Sequence, residues 1–112
     1  MSRRADADLV RDMLEAARRA REYCADLQYD DFTQDSKTQD AVVRNLEILG
    51  EAAKSLSEDL RTQYDGLPWA SIAGMRDRLI HDYFGVNLDI VWDVVKNDLP
   101  SLVEGLNRIL AG

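Results

Sequence analysis

The sequence predicts an all-α fold, an antiparallel bundle of about five helices joined by short connections. Three observations carry this reading. Apolar residues recur at three- and four-residue steps through most of the chain, and capping and turn residues punctuate those runs. No strand-like alternation, internal repeat or low-complexity segment interrupts them. At 112 residues, 46% hydrophobic and 31% charged, a single domain spanning residues 1–112 can bury most of its apolar surface without disulfides or a structural metal.

Leu9, Met13, Ala16, Ala17, Ala20, Tyr23, Cys24 and Leu27 trace one stripe of a long first helix, with Arg11, Asp12, Glu15, Arg18, Arg19 and Glu22 filling much of the other face. The stretch "QYDDFTQDSK" loses the period and ends that helix. Ser36 with Gln39 fits a capping box. From there Val42, Val43, Leu46, Leu49, Ala53 and Leu56 form a second apolar face with Gly50 inside it. A mid-helix glycine costs about 1 kcal/mol relative to alanine, so Gly50 is expected to let another helix come close. Arg44, Glu47, Glu51 and Lys54 form a polar ladder, read most plainly as a solvated salt-bridge face.

Ser57 caps a short third helix through Gln63, "YDGLPW" turns, and Pro68 suits the first position of a fourth helix. Ile72, Met75, Leu79 and Ile80 give that helix its apolar side, and it runs into the segment "MRDRLIHDYFG". Gly85 stops it, and Asn87 caps "LDIVWDVVKNDL". Pro100 kinks or divides this last region before "SLVEGLNRIL". Trp69 and Trp92 read as core or interface anchors.

The net charge of −7 argues against a general nucleic-acid binder, so any polyanion must be held by a few placed arginines. No apolar run approaches the roughly 20 residues that cross a bilayer. The start "MSRRADADLV" lacks the apolar stretch of a signal peptide. A cytoplasmic protein with no membrane contact is expected. Cys24 is the single cysteine and His81 the single histidine, so neither a disulfide nor a metal centre is expected, and no cofactor is implied.

His81 is the side chain whose unperturbed pKa lies nearest neutrality, which makes it the first candidate for proton transfer. On a continuous helix Asp77, four residues earlier, shares its face and would fix the ring's tautomer. Arg76 stands about 140° round the axis and roughly 7.5 Å along it, too far to share one atom unless the helix loosens near His81 or the substrate spans the gap. An arginine and a histidine flanking one phosphodiester suffice for metal-free RNA cleavage. The histidine moves the proton, the guanidinium meets the charge on phosphorus, and the RNA's own 2′-hydroxyl is the nucleophile. The competing reading is a histidine that caps carbonyls at a helix end. Arg78 reads as a solvated or dimer-bridging cation, and Tyr83 alone as half-buried packing.

The segments "KTQDAVVRNLEILGEAAKSLSEDL" and "LPWASIAGMRDRLIHDYFGVNLDIVWDVVKNDLPSL", with the spacing between them, resemble HepT-like proteins of the HEPN superfamily from about Leu9 to Leu110. The most specific element is Arg76, His81 and Tyr83 in the pattern R-x4-H-x-Y, with Asp77 as the polar residue that often follows the arginine. The resemblance implies a helical homodimer with two motifs in an intersubunit cleft. It implies a metal-independent ribonuclease acting as the toxin of a type II toxin–antitoxin pair. It also implies a minimal nucleotidyltransferase antitoxin that transfers AMP to Tyr83. Gly50 and the apolar surplus point to a dimer as well. A rival expectation is a non-catalytic helical dimer that binds a nucleotidyltransferase partner or a nucleotide through the same cleft.

Overall fold

The computed structural model describes residues 5–80 and 85–112. Its framework is a helix pair, α1 (Asp6–Cys24) and α3 (Ser36–Ser55), packed along their length. The pair is antiparallel, because Asp6 at the start of α1 accepts the backbone N–H and the hydroxyl of Ser57, just beyond the end of α3 (3.0 and 2.5 Å). α1 buries Leu9, Val10, Met13, Leu14, Ala16, Ala17, Ala20 and Cys24. Tyr23 departs from the expected stripe and is 42% exposed. It lies about 80° round the helix from Met13, at the margin of the apolar arc.

The aperiodic stretch holds a short helix, α2 (Tyr29–Thr33). Gln28 and Asp31 cap it reciprocally, with the Gln28 N–H donating to the Asp31 carboxylate at 2.9 Å. Phe32 is its one fully buried residue and packs on Trp92 at 5.3 Å between ring centroids. α7 (Leu88–Asp93) starts nearby, and the Tyr29 hydroxyl donates to Asp89 in its first turn.

The start of α3 corrects the expected capping box. Asp35, not Ser36, is the cap. Its carboxylate accepts the Thr38 N–H at 3.0 Å and the Thr38 hydroxyl at 2.6 Å. Gln39 donates to the Phe32 carbonyl instead, at 2.8 Å. An aspartate one residue upstream offers two acceptor oxygens and a full charge to the helix N-terminus, so it wins over serine. The Thr38 hydroxyl, then its backbone N–H, hold the Asp35 carboxyl below its ordinary range. A depressed folded-state pKa adds stability that is present above the unfolded value and lost as pH falls through the folded one. The melting-temperature gap between the parent and Asp35→Ala is therefore expected to narrow on acidification below the usual aspartate range. A gap that stays constant or widens on acidification would contradict this role.

Ser57 caps α4 (Glu58–Gln63) as expected, accepting the Leu60 N–H at 3.1 Å. The expected fourth helix is two short ones, α5 (Trp69–Ala73) and α6 (Met75–Leu79), separated at Gly74, with Pro68 at the cap of α5 rather than its first turn. Trp69 is buried, and its indole N–H donates to the Tyr64 carbonyl at 2.9 Å. α5 and α6 seat against α3 at Gly50, where a Cβ would lie 3.0 Å from the Ile72 carbonyl oxygen and 3.1 Å from the Met75 Cβ. The close approach inferred from Gly50 is thus made within the chain, and Gly50 no longer argues for a dimer.

Asn87 caps α7, accepting the Ile90 N–H at 3.2 Å. A π-helical turn (Val94–Asp98) then leads into α8 (Leu99–Ala111). Pro100 near the start of α8 has no N–H to give, and the Leu99 N–H reaches five residues back to the Val94 carbonyl. The proline therefore divides the region without ending it. Among the described residues no strand forms, only an isolated antiparallel bridge between Ile80 and Val86, and no helix is long and apolar enough to cross a membrane.

Candidate active site

α6 is one turn long and splits its residues between core and surface. Met75 and Leu79, four apart, are buried, while Arg76 and Asp77 are exposed. Arg76 opens onto a depression of about 530 Å³ walled by Leu9 and Asp12 of α1 and by Arg44, Glu47 and Glu51 of α3. Arg76 and Arg44 make no ion pair with any described residue, although three carboxylates share their depression. The α3 ladder is therefore more than a solvated face. Its Lys54–Glu51 pair, at 3.4 Å and well exposed, contributes little to stability, but its first three members wall the recess beside Arg76. Sequence reading missed Arg44 as a neighbour of Arg76. Its polar spacing is visible, but the packing of α6 on α3 is not.

The helix ends before the histidine. Ile80 is extended (φ −101°, ψ 129°), and its N–H still closes the last turn on the Arg76 carbonyl at 3.1 Å. It bridges to Val86, and the Asn87 N–H donates to the Leu79 carbonyl at 2.7 Å. Gly85 has φ +77°, a conformation that favours glycine. The expectation of one helix running into the histidine segment is therefore corrected. The helical offsets of Asp77 and Arg76 from His81 do not apply, because the helix that would carry them stops at Leu79. His81 and Tyr83 themselves lie outside the described residues.

Arg78 is also reassigned. It is half-buried and donates to the Ser71 hydroxyl at 3.1 Å and to the Asp98 carboxylate at 3.2 Å, so it ties α6 to α5 and to the π-helical turn. Two residues apart on a helix means about 200° of rotation, which sends Arg76 and Arg78 to different sides. Cys24 is buried, and burial raises its thiol pKa against the opposing pull of Lys96. Among the described residues no group of three or more His, Cys, Asp or Glu side chains is placed to hold a metal.

Residues 13–109 match the family described as ribonuclease HepT-like. A probable ribonuclease HepT of Thermococcus cleftensis is 43% identical over 89% of this chain and 91% of its own. A candidate RNase of Methanocaldococcus jannaschii is 42% identical over 88% of this chain and 82% of its own. A candidate RNase of Caldanaerobacter subterraneus is 44% identical over 75% of each. No solved structure matches the chain.

Proposed function

Because the chain belongs to the ribonuclease HepT-like family, we propose that it is a metal-independent endoribonuclease and the toxin of a type II toxin–antitoxin pair. The observation that carries this reading is Arg76. It is an exposed guanidinium with no ion-pair partner among the described residues, set one turn before the chain leaves the helix at Ile80. Burying Met75 and Leu79 on either side of it fixes its base, so the charge is presented from a rigid platform.

In the proposed reaction the RNA's 2′-hydroxyl attacks the adjacent phosphorus and the bond to the 5′-oxygen breaks. His81 takes the hydroxyl proton or supplies one to the leaving oxygen, and water makes the other transfer, giving a 2′,3′-cyclic phosphate and a free 5′-hydroxyl. Arg76 stabilises the charge that builds on the non-bridging oxygens, a task suited to its planar fork of donors. Asp77, exposed beside Arg76, orients the imidazole, a role that rests on the motif's pattern alone, since the helical spacing to His81 ends at Leu79. Two motifs meet in the cleft of a cytoplasmic homodimer of single-domain chains. The nucleotidyltransferase antitoxin transfers AMP from ATP to the Tyr83 hydroxyl, releasing pyrophosphate, and the attached group fills the cleft with phosphate and base.

Purified protein is expected to cleave RNA in excess EDTA and to leave 2′,3′-cyclic phosphate ends. Cleavage that needs added metal, or ends bearing a 5′-phosphate, would contradict the mechanism. The rival non-catalytic reading draws on the low basic content. It predicts no cleavage under any condition, with the nucleotidyltransferase still bound.

A further inference from the structure

A second recess differs in charge balance from the one at Arg76, where two arginines share the lining with three carboxylates. A depression of about 560 Å³ between α1 and the π-helical turn with the start of α8 is lined by Arg18, Arg21, Glu22 and Lys96, together with Val95 and Pro100. Three cations face one carboxylate there, on a molecule whose net charge is −7. Arg18 and Arg21, three apart on one face of α1, are exposed and have no hydrogen-bond or ion-pair partner among the described residues, whereas Arg11, Arg19, Lys54 and Arg78 all have one. Lys96 is held in place. Its ammonium donates to the Cys24 carbonyl at 2.9 Å and sits 4.7 Å over the Trp92 ring. The volume falls within the range of about 300–1,000 Å³ typical of small-ligand clefts.

We infer that Arg18, Arg21 and Lys96 form a second phosphate-binding site, which grips the backbone of the RNA strand away from the bond being cut. The inference rests on the ribonuclease reading and deepens it. An acidic molecule repels a polyanion at long range, so its substrate must be held at discrete positive recesses. Two unpaired guanidiniums beside a fixed ammonium match phosphodiester oxygens in charge and in fork geometry. This recess shares no lining residue with the one at Arg76. Counted from Asp12, Arg18 and Arg21 lie about 9–14 Å further along α1 and about 120–180° round it. Only a strand long enough to pass around α1 reaches both.

The test measures binding to protein carrying His81→Ala, so that RNA survives. The ligands are a dinucleotide and an oligoribonucleotide long enough to span both recesses, each across a range of salt. Adding Arg18→Gln with Arg21→Gln is expected to weaken the long strand by about tenfold at low salt. It should also flatten the slope of log K against log salt by about 1.4, two contacts at about 0.7 each. Dinucleotide binding should not change. Both substitutions are on the exposed face of α1, and unchanged circular dichroism would show the fold intact. Long-strand affinity and slope equal to the parent's would overturn this site while leaving the nuclease reading standing. A parent that binds no RNA at any salt would instead sink the ribonuclease reading, and this inference with it. A double variant that keeps RNA binding but loses a co-expressed nucleotidyltransferase would assign the recess to a protein partner and overturn the proposal.

Discussion

Arg76→Ala is expected to lower the rate of RNA cleavage by about 10²–10³-fold, the loss of about 2.7–4 kcal/mol that follows removal of one donor to a developing oxyanion. The folded state should barely change. Arg76 is exposed and forms no ion pair with a described residue, and alanine is the better helix former. Arg76→Lys should recover only part of the activity, because an ammonium keeps the charge but loses the two-pronged contact. The measurement is single-turnover cleavage beside thermal melting. A variant that cleaves at the parental rate, or that loses activity only in proportion to lost stability, would remove Arg76 from the chemistry.

Gly50→Val is expected to destabilise the protein by about 1–3 kcal/mol, the usual cost of overpacking a filled interface. The first added atom would already meet the Ile72 carbonyl oxygen at 3.0 Å and the Met75 Cβ at 3.1 Å. A carbonyl of the backbone cannot swing aside as a side-chain terminus does, so α5 and α6 must lift from α3. Replacing glycine in a helix returns less than about 1 kcal/mol of propensity, too little to offset this. Because α6 carries Arg76, the residual folded protein should also cleave more slowly. Thermal or urea melting checks the first effect, and a Gly50→Val protein as stable as the parent would show that α6 is not seated there.

The long elements were legible because length gives periodicity something to act on. α1 and α3 span 19 and 20 residues, enough for several returns of the apolar face, and their cores fall largely where the spacing places them. α2 was not legible, because a five-residue helix with Phe32 as its single buried residue has no period. Nor was the break at Gly74. Ile72, Met75 and Leu79 satisfy one continuous helix and two short ones equally well. The Ser36 capping box fits the pattern, yet it loses to the stronger acceptor one residue upstream. At the site, the exposure of Arg76 and Asp77 follows from the burial of their neighbours. The presence of Arg44 in the same recess depends on how α6 docks on α3, which no local spacing encodes. Because α6 ends at Leu79, the offset of about 140° and roughly 7.5 Å on an ideal helix does not describe this segment, and His81 lies outside the described residues.

In the proposed mechanism Arg76 and His81 act together on one phosphate. Single-turnover cleavage of the same RNA by Arg76→Ala, His81→Ala and the double variant tests it most directly. Residues that work as a unit are strongly non-additive, so the double variant is predicted to be no slower than the slower single one. Losses that multiply, or a His81→Ala protein that still cleaves at the parental rate, would show that the two do not act as one unit.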